Sequence, residues 1–193
     1  TTNSESAYGV VQRPDGGYIV VGEGYSGTNR EALYYAMGPD GLFQNGYLIG
    51  GAGVESAQSV VRSSDDKYVF AGYTTSFGAG GYDIYFRKQD GSSGVWSYAL
   101  GGTADDLGME VINTIDGGFA ITGYTKTWGN GNADIWLVKT DSEGDVEWSW
   151  VFGSAATDYA NGVVQKSDGS FYVAGTTYAF NSTYGDVIFV EFS

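Results

Sequence analysis

Four acids recur at one place in a repeating pattern: Glu5, Glu55, Asp106 and Asp158. Each stands five residues before a valine, Val10, Val60, Val111 or Val163, and those valines are 50, 51 and 52 residues apart. Carboxylates that converge repel one another unless a cation, water or donor groups compensate, and their oxygens suit hard cations. If the copies close around an axis, these four acids ring one mouth of a central channel, where calcium or sodium could satisfy them; no cofactor is required. The plainer role is that each accepts N–H bonds from its own linker, as Asp does in turns. Asp15, Asp65, Asp116 and Asp168, five residues after each valine, read as turn formers. Asp83, Asp134 and Asp186 read as acceptors for loop amides, with Leu33 in their place in the first copy.

The remaining chemistry is narrow. The chain has no histidine and no cysteine, which removes the usual base near neutral pH, thiolate metal sites and disulfides. Carboxylates that repeat with the structure are poor candidates for a catalytic pair, so no catalytic residue is expected. A net charge of -14 with only nine Lys and Arg argues against a nucleic-acid partner, whose phosphates need clustered cations. No apolar run approaches the ~20 residues of a membrane span, so no membrane insertion is expected. Aromatics on glycine-rich loops, Tyr25, Phe77, Trp128 and Phe180, offer faces for sugar rings, or pack between structural units. Asn181-Ser182-Thr183 is a glycosylation acceptor pattern and suits a surface loop of an exported protein.

Short strands must position these groups. In the second copy, Ala57–Arg62, Tyr68–Tyr73, Asp83–Lys88 and Val95–Leu100 read as strands separated by turns rich in Asp, Gly and Ser. An aromatic follows each turn acid by three residues (Tyr18, Tyr68, Phe119, Phe171), and a glycine comes four later (Gly22, Gly72, Gly123, Gly175). Four antiparallel strands per ~50 residues is the size of a propeller blade. The expected fold is therefore an all-β, four-bladed β-propeller in a single domain, residues 1–193, with repeats over about 5–53, 54–104, 105–156 and 157–193. Small residues in the first strand (Ala7, Gly9, Ala57, Ser59, Gly108, Ala160, Gly162) suit the crowded axis. A parallel β-solenoid is the competing architecture, but turns such as Asp15-Gly16-Gly17 favour hairpins.

The third copy, DGGFAITGYTKTWGNGNADIWLVKTDSEGDVEW, resembles the SBBP-type repeats of bacterial and archaeal extracellular β-propeller proteins. The resemblance spans the chain and rests on its DGG(Y/F), GYT, DIWLVK and DxxG…W elements. It implies a secreted or surface-exposed propeller, its signal peptide removed, and carries over no catalytic residue.

The last copy has no segment in the register of a fourth strand. Its final strand, Asp186-Val187-Ile188-Phe189-Val190-Glu191, is apolar at its centre. Either the last blade has three strands, or the short N-terminal tail folds back to patch it, or the exposed edge accepts a strand from a neighbour. The expected function is thus a non-catalytic structural subunit of an extracellular surface assembly or filament, using the incomplete blade for strand complementation. A lectin-like carbohydrate-binding module is the alternative, and a carboxylate-dependent glycan-active enzyme the weaker one. The expected partners are further copies of the chain or surface glycans.

Overall fold

The computed structural model describes residues 4–179 and 184–193. Among them, fifteen strands form four antiparallel sheets of 4, 4, 4 and 3 strands, each built from consecutive strands. Blade one holds β1 (Ser6–Gln12), β2 (Tyr18–Ser26), β3 (Asn29–Met37) and β4 (Phe43–Ile49). Blade two holds β5 (Glu55–Arg62), β6 (Tyr68–Thr74), β7 (Asp83–Asp90) and β8 (Ser93–Leu100). Blade three holds β9 (Asp106–Asn113), β10 (Phe119–Thr125), β11 (Asp134–Thr140) and β12 (Val146–Phe152). Blade four holds β13 (Asp158–Gln165), β14 (Phe171–Thr177) and β15 (Asp186–Phe192). The fold is a four-bladed β-propeller whose last blade has three strands. No helix of the described residues is long and apolar enough to cross a membrane.

The turn acids explain the first hairpin of each blade. Asp15 accepts the Gly17 N–H, Asp116 that of Gly118 and Asp168 that of Ser170. Gly16, Asp66, Gly117 and Gly169 each bond back to the carbonyl three residues earlier. They sit at φ of 86°, 62°, 88° and 91°. Glycine takes that conformation without strain, and Asp is among the few other residues that tolerate it.

Three apolar seams hold the blades together. Ile19, Val21 and Tyr34 of blade one meet Val60, Tyr68 and Phe70 of blade two. Val69, Ile84 and Phe86 then meet Val111, Phe119 and Ile121 of blade three. Ala120, Ile135 and Leu137 meet Val163, Phe171, Val173 and Phe192 of blade four. The repeated aromatic is a seam residue: Tyr68 packs on Tyr34 at 6.3 Å, Phe119 on Trp96 at 6.2 Å and Phe171 on Trp148 at 5.6 Å. Sheets between two neighbours bury both faces, so β6 and β10 are covered almost throughout, whereas β2 and β14 alternate. Among the described residues no buried apolar cluster joins blade four to blade one. The blades form an arc around the axis rather than a ring closed on itself.

One register needs correction. Leu33 does not replace Asp83, Asp134 and Asp186; Glu31 does. Those acids face Thr74, Thr125 and Thr177, and Glu31 faces Gly24 in the same place. The two-residue turn at Gly27 and Thr28, between paired Ser26 and Asn29, shortens the first copy's loop and shifts its alignment.

Candidate functional site at the axis

The innermost strand of every blade carries a β-bulge in the same place. The register skips one residue between Ala7 and Gly9, Ala57 and Ser59, Gly108 and Glu110, and Ala160 and Gly162. The extra residues are Tyr8, Gln58, Met109 and Asn161. A bulge bends its strand and frees one residue from the ladder, and bulges concentrate where a side chain must be re-aimed.

The repeated glycine is what admits the bulge. A Cβ on Gly22, Gly72, Gly123 or Gly175 would run into the main-chain carbonyl oxygen of Ser6, Ser56, Leu107 or Tyr159. These carbonyls belong to the inner strand and cannot move aside as a side chain can. The glycine visible in the sequence and the bulge beside it are therefore one feature.

All four bulge residues line one open pocket of about 430 Å³, together with Ser59, Glu110 and neighbouring inner-strand residues. That volume is in the range of small-molecule sites. The lining is unlike the repeat that builds it: a phenol, a primary amide, a thioether and a second amide occupy equivalent positions. One place further on, the copies read Gly9, Ser59, Glu110 and Gly162. Glu110 is the one carboxylate at this register, and its Oε2 accepts the Val163 N–H of the next blade at 2.6 Å. Ser59 reaches the Val111 carbonyl at 3.5 Å in the equivalent gap. Sequence reasoning missed these residues because it followed what repeats. The available signal was the opposite, a position flanked by small residues whose identity changes in every copy.

The acids expected around the channel take the plainer role. Glu55, Asp106 and Asp158 are buried, whereas Glu5 is exposed. Glu55 accepts the Gly51 N–H at 2.8 Å and the Thr74 hydroxyl at 2.8 Å. Asp106 accepts Gly102 N–H at 2.8 Å and Thr127 Oγ1 at 2.7 Å. Asp158 accepts the amide and hydroxyl of Ser154 at 2.7 and 2.9 Å. Glu5 takes the Tyr35 hydroxyl at 2.8 Å. Among the described residues no three acids stand close enough to share a metal ion. Two of the linker acids, Glu55 and Asp106, lie beside an acid from the preceding blade. Backbone space at Gly101 is flanked by both Asp83 and Asp106, and at Gly50 by both Glu31 and Glu55. Burial raises the Asp83 carboxyl above the usual carboxylate range and the charge of Asp106 adds to this, against hydrogen bonds from Ala79 and Gly80 amides.

Two of the loop aromatics pack on their own blade. Phe77 stacks on Tyr85 at 6.1 Å and Trp128 leans on Trp136 at 5.0 Å, and both remain about half exposed. Tyr25 lies partly buried near the end of β2. Phe180 and Asn181 lie outside the described residues.

The apolar run of β15 has a different cause from the one expected. Side chains alternate across a sheet, whereas strand addition uses main-chain groups in its plane. Ile188, Val190 and Phe192 pack into the seam with blade three. Val187 and Phe189 point from the opposite face, 87% and 63% exposed. The pattern is that of a sheet built to lie between two blades.

The fold defines the chain as a β-propeller, and comparison with solved structures agrees. It superposes on a protein described as a "putative gluconolactonase" with a TM-score of 0.50 and 12% identity, covering 94% of this chain and 57% of the other. It superposes on Sqt1 from Chaetomium thermophilum with a TM-score of 0.50 and 14% identity, covering 91% of this chain and 42% of that one. The chain thus spans about half the length of the solved structures it matches. No protein-family model and no curated protein matches the sequence. Neither neighbour is described as a filament subunit or a lectin. Together with the facing of β15, this corrects the expectation of a structural subunit that assembles by strand complementation.

Proposed function

We propose that this protein is a ligand-binding β-propeller whose site is the axial pocket, and that its ligand is a small polar molecule rich in hydroxyl groups. The observation that carries the reading is the set of four bulges that bring Tyr8, Gln58, Met109 and Asn161 to one pocket beside Glu110. Identical backbone devices holding unlike side chains separate scaffold from recognition: the glycine and bulge repeat, and the groups that touch the ligand vary. Gln58 and Asn161 each offer a donor and an acceptor, Tyr8 a hydroxyl and an apolar face, and Glu110 a charged acceptor. Met109 supplies apolar contact.

The neighbour described as a gluconolactonase makes sugar lactones and the corresponding acids the first ligands to try. Calorimetric titration of such a panel, extended to polyols, should find a ligand whose affinity falls at least about tenfold in Glu110→Gln or Asn161→Ala. Glu110→Gln keeps an acceptor for the Val163 amide and removes the charge. A panel without a binder, or a binder indifferent to both substitutions, counts against the site. The same titrations with calcium or sodium chloride test the expected channel cation, and following lactone opening tests whether binding extends to turnover. We further propose that the chain belongs with the extracellular SBBP-type repeat proteins; its DGG turns and repeated aromatics support that placement, and the location of the native protein outside the cell would test it.

A further inference from the structure

We propose that the seam between blades one and two holds a second binding pocket, and that its ligand is a planar bicyclic heteroaromatic with a hydrogen-bond acceptor at its edge. The other two seams show how the same space is filled elsewhere. At the second seam, Trp96 on β8 packs at 4.8 Å from Phe86 and 6.2 Å from Phe119, and those two rings meet edge to face at 5.8 Å. At the third, Trp148 on β12 packs at 5.6 Å from Phe171. The cross-strand partner of each tryptophan is a buried lysine, Lys88 or Lys139.

The first seam keeps the ring pair and changes the rest. Tyr34 and Tyr68 take the places of Phe86 and Phe119 and meet edge to face at 6.3 Å. In the register of the tryptophans stands Asn45, and opposite it is Ala36 in place of the lysine. A pocket of about 380 Å³ opens there, with Arg13, Ile19, Tyr34, Ala36, Asn45 and Tyr68 in its wall, in the range of small-molecule sites. Every lining residue lies between Arg13 and Gly91, in two blades packed on each other. The polar groups select what enters. Neither phenol hydroxyl bonds to another described residue. Burial raises both phenols above their usual range, so each remains a neutral donor at physiological pH. The exposed Asn45 amide adds a further donor. Arg13 is already engaged by the Asp15 carboxylate and the Gln44 side-chain carbonyl, so its charge is balanced within the wall and the ligand need not be ionised. A ring of indole size offers faces to the tyrosine pair, and an edge acceptor meets the donors.

Calorimetric titration of the 193-residue chain with benzimidazole and with indole tests this. The two probes share size and shape, and only benzimidazole carries an acceptor nitrogen in its ring plane. The parent chain should bind both, benzimidazole about fivefold more tightly. Asn45→Trp restores the side chain of the other seams and should abolish binding of both, with far-ultraviolet circular dichroism like that of the parent. If that variant fails to fold, Asn45→Phe places a smaller ring at the same position and carries the same test. Tyr34→Phe combined with Tyr68→Phe reproduces the ring pair of the second seam. It should leave indole affinity within about twofold and remove the preference for benzimidazole. A parent chain that binds neither probe, binding that survives in folded Asn45→Trp or Asn45→Phe, or a benzimidazole preference untouched by the double tyrosine variant overturns the inference.

Discussion

At the scale of the residue, the strongest constraint is the glycine opposite each bulge. Gly72→Ala puts a methyl group against the Ser56 carbonyl, and main chain on both sides leaves no cheap relaxation. The expected cost is on the order of 3 kcal/mol, read as a lowered midpoint in urea. By contrast, Gly91→Ala, where nothing lies within 4 Å although φ is 54°, should cost only about 1 kcal/mol. Asp83 gives a prediction of opposite sign. Its Oδ1 is buried without a hydrogen-bond partner, near Asp106. Because its carboxyl is raised in the folded chain, the folded state holds that proton more tightly than the unfolded one. Its contribution favours folding at low pH and is lost as pH rises from about 4 through the raised value. Asp83→Asn should therefore melt higher than the parent at pH 7, with the difference vanishing below about pH 4. A variant that melts lower at pH 7 would show that the carboxylate itself is needed.

At the scale of the element, the hairpins show how a propeller blade uses its few cations. Lys139 on β11 is buried and reaches both Asp116 in the β9–β10 turn and Glu147 on β12, each at 2.8 Å. Burial alone would raise the Asp116 carboxyl, but Lys139, the Thr114 hydroxyl and the Gly118 amide outweigh it and hold it at about 2. Since the folded value lies below the unfolded one, its stabilisation is present above about pH 4 and is lost as pH falls toward 2. Both acids are well exposed, so solvent keeps the pair's net worth small. Lys139→Met retains the packed stem and should change stability by no more than about 1 kcal/mol at pH 7. The variant's acid midpoint should shift upward, because Asp116 then titrates nearer its unfolded value. An unchanged acid limb would mean that the pair is held apart in solution. The elements were legible in the sequence because Asp, Gly and aromatic positions repeat with backbone geometry. Two features escaped for physical reasons. The bulge adds a residue without a type of its own, and the apolar run of β15 reads alike whether its side chains face a neighbouring blade or its edge accepts a strand.

At the scale of the whole molecule, three seams and two open faces follow from stacking four copies of one unit that cannot bury both faces alone. The copy number and blade size were plain from spacing, whereas the curvature was not, since closure depends on angles between sheets rather than on any single residue. The axial site was illegible for a related reason: its members sit at one repeat position but share no chemistry. Tyr8 shows the consequence. It is a bulged, half-exposed residue outside the seams, so Tyr8→Ala should leave the melting temperature within about 2 °C while weakening whatever the pocket binds. The most direct measurement is calorimetric titration of sugar lactones, their acids and polyols into the parent chain, Tyr8→Ala and Glu110→Gln. Binding at a ratio of one ligand per pocket that both substitutions weaken, with folding intact, is the predicted result. No binding across the panel, or binding that neither substitution changes, would contradict the assignment of function to the axis.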